Sequence, residues 1–186
     1  EVVGTVEDGR ALVAAAQKLN PDVIVADISM PLLNGIEAVR QLKKGTSQAK
    51  GVFLTMHPDV TYATRALEAG ASGYVLKHSA PSELITAIRE ALKGRIYLTP
   101  MIAKDFLESF MVESHQRRKA VLELTPRQRE VLQLLSEGRS AKEIASILDI
   151  STRTVEFHKY RLMESLGLCT NAELFQYAIK HGIVSV

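Results

Sequence analysis

Apolar and polar positions fall into two rhythms along this chain. Up to residue 94, short apolar runs alternate with stretches in which apolar residues recur every three or four positions. Val2-Val3-Gly4-Thr5-Val6, Val23-Ile24-Val25-Ala26 and the runs at 51–55 and 73–76 are rich in β-branched residues and predict strands. Val23 to Ala26 shows no alternation, which predicts a strand buried on both faces. Between the runs, apolar residues at 12, 15, 16 and 19, then Ile36, Val39 and Leu42, then the stretch 60–69, then Leu84, Ile85, Ile88 and Leu92 follow helical spacing. Asn20-Pro21, Gly45, Gly70 and Gly94 stop these helices, and Ser79 is placed to cap the last of them. Strand and helix alternating four times predict a parallel sheet with helices on both faces and right-handed crossovers.

From residue 125 the pattern is helical throughout. Thr125-Pro126-Arg127-Gln128 reads as a capping box with proline at the first helical position, followed by Val131, Leu132, Leu134 and Leu135, and Gly138 as the stop. Ser140-Ala141-Lys142-Glu143 is a second box, followed by Ile144, Ala145 and Leu148. After a break at Asp149-Ile150, Ser151 caps a third helix that runs to Leu166 and ends at Gly167. Asn171 is placed to cap the last helix, whose apolar face is Leu174, Phe175, Ala178 and Ile179. The second and third helices, joined by a short turn, make a helix-turn-helix, whose second helix enters the major groove of DNA. Between the halves, Met101, Ala103, Phe106, Leu107 and Phe110 predict a short helix, and the basic stretch 114–119 an exposed linker. The predicted organisation is a first domain over 1–108, a linker over 109–121 and a second domain over 122–186.

Composition narrows this little. Hydrophobic residues at 46% and charged residues at 24% suit a globular protein. No apolar run approaches a membrane span, so no membrane partner is expected. The single cysteine, Cys169, excludes an internal disulfide and a cysteine-based metal site, and fits a buried position in a reducing, cytoplasmic setting. With aromatics at 5% and no tryptophan, stacking on single-stranded nucleic acid is not indicated. The net charge of +2 makes DNA binding a matter of local charge placement.

Three side chains fall at the carboxyl ends of three successive predicted strands: Asp27, Thr55 and Lys77. Parallel strands bring such positions to one sheet edge, where ligands bind in open α/β folds. A carboxylate, a hydroxyl and an ammonium meeting there suit phosphoryl chemistry. The carboxylate is the nucleophile that forms an acyl phosphate, and Thr55 and Lys77 are partners for the phosphoryl oxygens. An aspartyl-nucleophile phosphatase is disfavoured, because residue 29 is Ser and supplies no second acid.

DISMPLLNG around Asp27, LTMH around Thr55 and GYVLKHSAPSEL around Lys77 resemble the receiver domain of bacterial two-component response regulators. The resemblance implies a flavodoxin-like α/β fold. It implies that Asp27 is the phosphoacceptor for a sensor histidine kinase, that Thr55 and Tyr74 form a switch pair, and that Lys77 contacts the phosphate. Tyr74 otherwise reads as a half-buried strand aromatic. Receivers hold Mg²⁺ with the phosphoacceptor, a backbone carbonyl two residues on and an adjacent acidic pair; of these, Asp27 and the Ser29 carbonyl fall in this chain. The chain starts at what matches the second receiver strand. Glu7-Asp8 accordingly reads as a turn and not as the metal pair, and the first β-α unit is expected in a longer protein. In the 2-1-3-4-5 strand order, Val2–Val6 then has no neighbour in the sheet.

LTPRQREVLQLLSEG, SAKEIASILDIS and TRTVEFHKYRLMESLGL resemble the LuxR-type helix-turn-helix. With a receiver, this is the arrangement of NarL/FixJ-class response regulators. On the third helix of this half, Val155, His158, Leu162 and Leu166 fall inward. Arg153, Glu156, Phe157, Tyr160 and Glu164 fall on the opposite side, flanked by Lys159 and Arg161. The resemblance places Glu156, Phe157 and Tyr160 at base-reading positions and Thr154 and Lys159 near the backbone, and gives the last helix a role in dimerisation on double-stranded DNA. The expected function is transcriptional regulation controlled by phosphorylation of Asp27, with dimerisation in the active state and no enzymatic turnover. The alternative is a phosphorylation-independent DNA-binding regulator whose receiver is a protein-interaction module.

Overall fold

The computed structural model describes residues 1–45, 47–113 and 124–184. The chain forms two compact units, Glu1–Arg117 and Arg118–Val186. The basic stretch expected as a linker at 114–119 lies outside the described residues, as does the side chain of Phe110.

The first unit contains α1 (Gly9–Leu19), β1 (Val23–Ala26), α2 (Gly35–Lys44), β2 (Lys50–Thr55), α3 (Val60–Glu68), β3 (Ala71–Leu76), α4 (Pro81–Leu92), β4 (Tyr97–Leu98) and α5 (Pro100–Glu113). The strands make one parallel sheet in the order β1-β2-β3-β4. Strand alternation sends Ile24, Ala26, Phe53, Tyr74 and Leu76 to one face. There they pack with Ala16 of α1, Ile36, Val39 and Leu42 of α2, Ala63 and Ala66 of α3, and Ile102 of α5. Val52 and Val75 point to the other face and meet Ala87 and Ala91 of α4.

Four expectations are corrected here. No strand forms at Val2–Val6, and Val2 and Val3 are exposed, because a strand of this length is stable only when paired. β1 is not buried on both faces: Val25 is 41% exposed, since α4 is the one helix packed on that face among the described residues. Ser79 does not cap α4. The N-cap is Ala80, without a side-chain bond, and Pro81 at the first helical position has no N–H to satisfy. The two-residue β4 falls where the sequence predicts only a connector, being too short to carry a period. Asp8 caps α1, its carboxylate accepting from the N–H groups of Arg10 and Ala11 at 2.8 Å each.

The second unit contains α6 (Pro126–Ser136), α7 (Ala141–Leu148), α8 (Thr152–Leu166) and α9 (Asn171–Lys180) around Val131, Leu132, Leu134, Ile144, Val155, Leu162, Leu174 and Ala178, all buried. The capping boxes at Thr125–Gln128 and Ser140–Glu143 both form. The cap of α9 is Thr170, one residue before the expected Asn171. Its hydroxyl accepts from the Glu173 N–H, and Glu173 accepts in return from the N–H groups of Cys169 and Thr170. Cys169 is exposed, not buried, because it sits in this capping turn. Phe175, expected on the apolar face, is 41% exposed, and His158 and Leu166 are only half-buried.

These caps make stability depend on acid. Bonds from Ser140 hold the Glu143 carboxyl below its ordinary range, and N–H groups of Cys169 and then Thr170 do the same for Glu173. A depressed folded-state pKa gives a contribution fully present above the unfolded value of 4.5 and lost as pH falls through the folded value. The Glu143→Gln, Glu173→Gln double variant is therefore expected to show a shallower loss of thermal stability below pH 4.5 than the parent, measured by melting across an acid series. Parallel acid limbs would contradict it.

Candidate functional site

Asp27 follows the last residue of β1, Thr55 ends β2 and Lys77 follows β3. The parallel register, Ala26 opposite Phe53 and Thr55 opposite Leu76, brings these three strand ends to one sheet edge. Lys77 Nζ donates to Asp27 Oδ2 at 2.5 Å, with both side chains partly open to water. The Lys77 N–H donates to the Thr55 carbonyl at 2.8 Å, so the lysine is tied to the neighbouring strand through its backbone as well. The second Asp27 oxygen accepts from the Ser29 N–H at 3.3 Å. The edge thus carries a carboxylate held by an ammonium and open to solvent.

Thr55 is fully buried, and its hydroxyl accepts from the His57 N–H at 3.3 Å. Tyr74 is fully buried too, not half-buried, and its hydroxyl donates to the His57 carbonyl at 2.7 Å. Burial, reinforced by the charges of Asp59 and Asp27, pushes the Tyr74 hydroxyl far above the ordinary phenol range, so it stays protonated and keeps its proton for the bond to the His57 carbonyl.

His57 is one residue that sequence reasoning missed. Beyond its two backbone bonds, its ring stacks on Tyr62 at 4.4 Å and 14°, and its Nε2 lies 2.8 Å from Ser29 Oγ. The available signal was its place two residues after Thr55, in the motif already singled out. Thr99, buried, was also missed. It accepts from the Leu76 N–H, donates its own N–H to the Tyr74 carbonyl and donates its hydroxyl to Glu83, which also accepts from the Tyr97 hydroxyl. This network fixes the end of β3, from Tyr74 to Leu76, against α4 and the start of α5.

Two backbone features shape the acid loop. Leu32 has φ 64°, a left-handed conformation that a branched side chain adopts only under constraint. Gly35 packs so closely that an added Cβ would lie 2.1 Å from the Asp27 carbonyl oxygen.

The receiver resemblance implies Mg²⁺ here. The donors in this chain are one carboxylate, engaged by Lys77, and the Ser29 carbonyl. Among the described residues, no group of three His, Cys, Asp or Glu could hold a metal ion. Mg²⁺ demands six oxygens in near-octahedral array. These donors alone do not make that site.

In the second unit, α7 and α8 meet at Asp149, whose φ of 52° places it in the left-handed region at the C-terminus of α7. An exposed aspartate there opposes both the backbone preference and the helix dipole. Asp149→Gly is therefore expected to stabilise this unit by about 1 kcal/mol, raising its melting temperature by about 5 °C. An unchanged or lowered melting temperature would contradict this.

On α8, Arg153, Glu156, Phe157, Tyr160 and Arg161 are exposed, and Thr154 and Lys159 are half-buried. Thr154 belongs to the cap, its N–H donating to the Ser151 hydroxyl. Arg161 donates to Glu164 at 2.9 Å, and its guanidinium lies 5.9 Å from the Phe157 ring centroid. The exposed face of α8 therefore carries an aromatic pair, Phe157 and Tyr160, amid charges of both signs. No described helix is long and apolar enough to cross a membrane.

Comparison with known proteins matches both units. The response regulator receiver domain covers residues 2–89, and the bacterial regulatory proteins, luxR family, covers residues 122–178. The transcriptional regulatory protein MctR of Rhizobium johnstonii is 35% identical over 185 residues, covering 100% of this chain and 84% of its own. The response regulator UvrY of Escherichia coli K12 is 31% identical over 183 residues, covering 98% and 84%. Among solved structures, RcsB of Salmonella enterica serovar Typhimurium, bound to a promoter in the presence of the phosphomimetic BeF3-, is similar. It has 29% identity, a TM-score of 0.59 and coverage of 95% of this chain and 84% of that one.

Proposed function

This chain belongs to the NarL/FixJ class of two-component response regulators, DNA-binding proteins that join a receiver domain to a LuxR-type helix-turn-helix, and from that premise we propose that phosphorylation of Asp27 by a sensor histidine kinase controls its dimerisation and its binding to operator DNA. The observation that carries this is the Lys77 ammonium on the Asp27 carboxylate at the sheet edge where Thr55 ends its strand.

A carboxylate oxygen of Asp27 attacks the phosphorus of the phosphohistidine. The P–N bond breaks as the P–O bond forms, and the imidazole leaves with the electron pair and takes up a proton. Lys77, already at Asp27, pairs with a phosphoryl oxygen and offsets the added charge. Thr55 gives up the His57 N–H and turns its hydroxyl to another phosphoryl oxygen. Because the Tyr74 hydroxyl holds the His57 carbonyl, that movement reaches the segment between β2 and α3. This local rearrangement biases the receiver toward its dimeric form. In the second unit, Arg153, Glu156, Phe157, Tyr160 and Arg161 face DNA, with Thr154 and Lys159 at the phosphate backbone. The receiver then spans 1–108, the linker 109–121 and the DNA-binding domain 122–186.

The alternative is a phosphorylation-independent regulator with an interaction-module receiver, in which Asp27 carries no phosphoryl group and DNA binding is retained. Beryllium fluoride with Mg²⁺, added to the full chain, separates the two. Under phosphorylation control, sedimentation shifts toward a dimer and DNA binding tightens by roughly 10- to 100-fold. Unchanged mass and unchanged DNA affinity would leave the alternative standing.

A further inference from the structure

We propose that the exposed face of α8 reads a cytosine through Glu156 and a neighbouring thymine through Phe157. This rests on the reading that the second unit binds double-stranded DNA. Glu156 and Phe157 lie in the N-terminal half of α8, the part of a recognition helix that meets base edges. Both are exposed, Phe157 at 58%.

The chemistry of the pair restricts what it can contact. A carboxylate only accepts hydrogen bonds. Guanine presents two acceptors in the major groove, N7 and O6, and repels it. Adenine offers one donor beside the N7 acceptor. Cytosine offers its N4 amino donor with no acceptor of its own beside it, so it is the base a carboxylate selects. Phe157 has no polar atom, and the apolar feature of the major groove is the thymine methyl.

The surroundings hold the Phe157 ring in place. Arg161 is committed to Glu164 and lies beside the Phe157 ring, while His158 meets the same ring edge-on at 5.9 Å. Arg161 thus also acts as a positioning residue for the aromatic anchor. Arg153, one turn before Glu156 and exposed, supplies positive charge that offsets the carboxylate's repulsion from phosphate. An aromatic ring beside a carboxylate also makes poor phosphate contacts, so this face contributes more to selectivity than to general affinity.

The test starts by selecting bound duplexes from a randomised pool with the full chain. Single base pairs of the selected site are then exchanged, and each thymine is replaced by deoxyuridine, which removes only the methyl group. At the position read by Glu156, replacing the C·G pair should weaken binding roughly 10- to 100-fold. Glu156→Gln should move the preference at that position from cytosine to adenine, which glutamine pairs through N6 and N7. Deoxyuridine at the adjacent position should weaken the parent several-fold and leave Phe157→Ala unaffected. A site whose base preferences survive Glu156→Gln, or a parent indifferent to deoxyuridine, overturns the assignment while leaving DNA binding intact. Failure of the chain to retain any duplex at low salt would overturn the DNA-binding reading itself, and the assignment with it. Both substitutions fall on exposed side chains, and unchanged melting temperatures confirm that the variants are folded.

Discussion

Asp27→Asn is expected to take up no phosphoryl group when the full chain is incubated with acetyl phosphate and Mg²⁺, while the parent gains one phosphoryl mass located at Asp27. An amide oxygen is a poor nucleophile and cannot form the acyl phosphate. The exchange leaves the fold intact, because the Lys77–Asp27 pair is partly exposed and such pairs contribute about 1 kcal/mol or less. Lys77→Ala keeps the nucleophile and removes the ammonium. It is expected to slow uptake roughly 100-fold, the usual effect of losing one charge-stabilising donor at a reacting centre. Thr55→Val separates chemistry from signalling. Its methyl groups fill the buried site, so phosphorylation proceeds, but no hydroxyl remains to exchange His57 for the phosphoryl oxygen, and DNA affinity should then fail to respond. Equal phosphoryl uptake by Asp27→Asn and the parent would refute the assignment of the phosphoacceptor. A Thr55→Val protein that still tightens on DNA would refute the route through His57.

What could be read from sequence and what could not divides along the range of the interactions. Asp27, Thr55 and Lys77 were legible because each ends an apolar run, and parallel strands align their ends without further information. The caps at Thr125, Ser140 and Ser151 were legible because a cap is a contact over three residues. Val2–Val6 has the composition of a strand, but a strand needs a partner, and pairing is not a local property. Thr99 and Glu83 are sixteen residues apart and meet only once β4 has joined β3. His57 was visible in its motif. Its role rests on Ser29, from the loop after β1, and Tyr74, from within β3. The misplaced cap at Asn171 shows the limit of local reading: Thr170 and Asn171 are both good capping residues, and Glu173 decides between them by its spacing from Thr170.

Gly35→Ala should be the most damaging single-methyl change in the acid loop, costing about 3 kcal/mol of stability. Intrinsic propensity points the other way, since alanine is favoured over glycine by up to about 1 kcal/mol within a helix. Geometry overrides it. The new Cβ would lie 2.1 Å from the Asp27 carbonyl oxygen, 3.1 Å from its carbon and 3.0 Å from the Phe53 ring. The ring belongs to a fully buried residue, and the carbonyl is backbone, so neither can move cheaply. Relief requires α2 to withdraw from β1, which would break the bond from the Gly35 N–H to the Ile28 carbonyl and shift the peptide that orients Asp27. The variant should therefore lose melting temperature and, at temperatures where it remains folded, take up phosphate from acetyl phosphate more slowly than the parent. An alanine that leaves both quantities unchanged would show that the approach of α2 to β1 is looser than this packing implies. Loss of stability with normal phosphorylation would separate the close approach from the chemistry and confine the role of Gly35 to the fold.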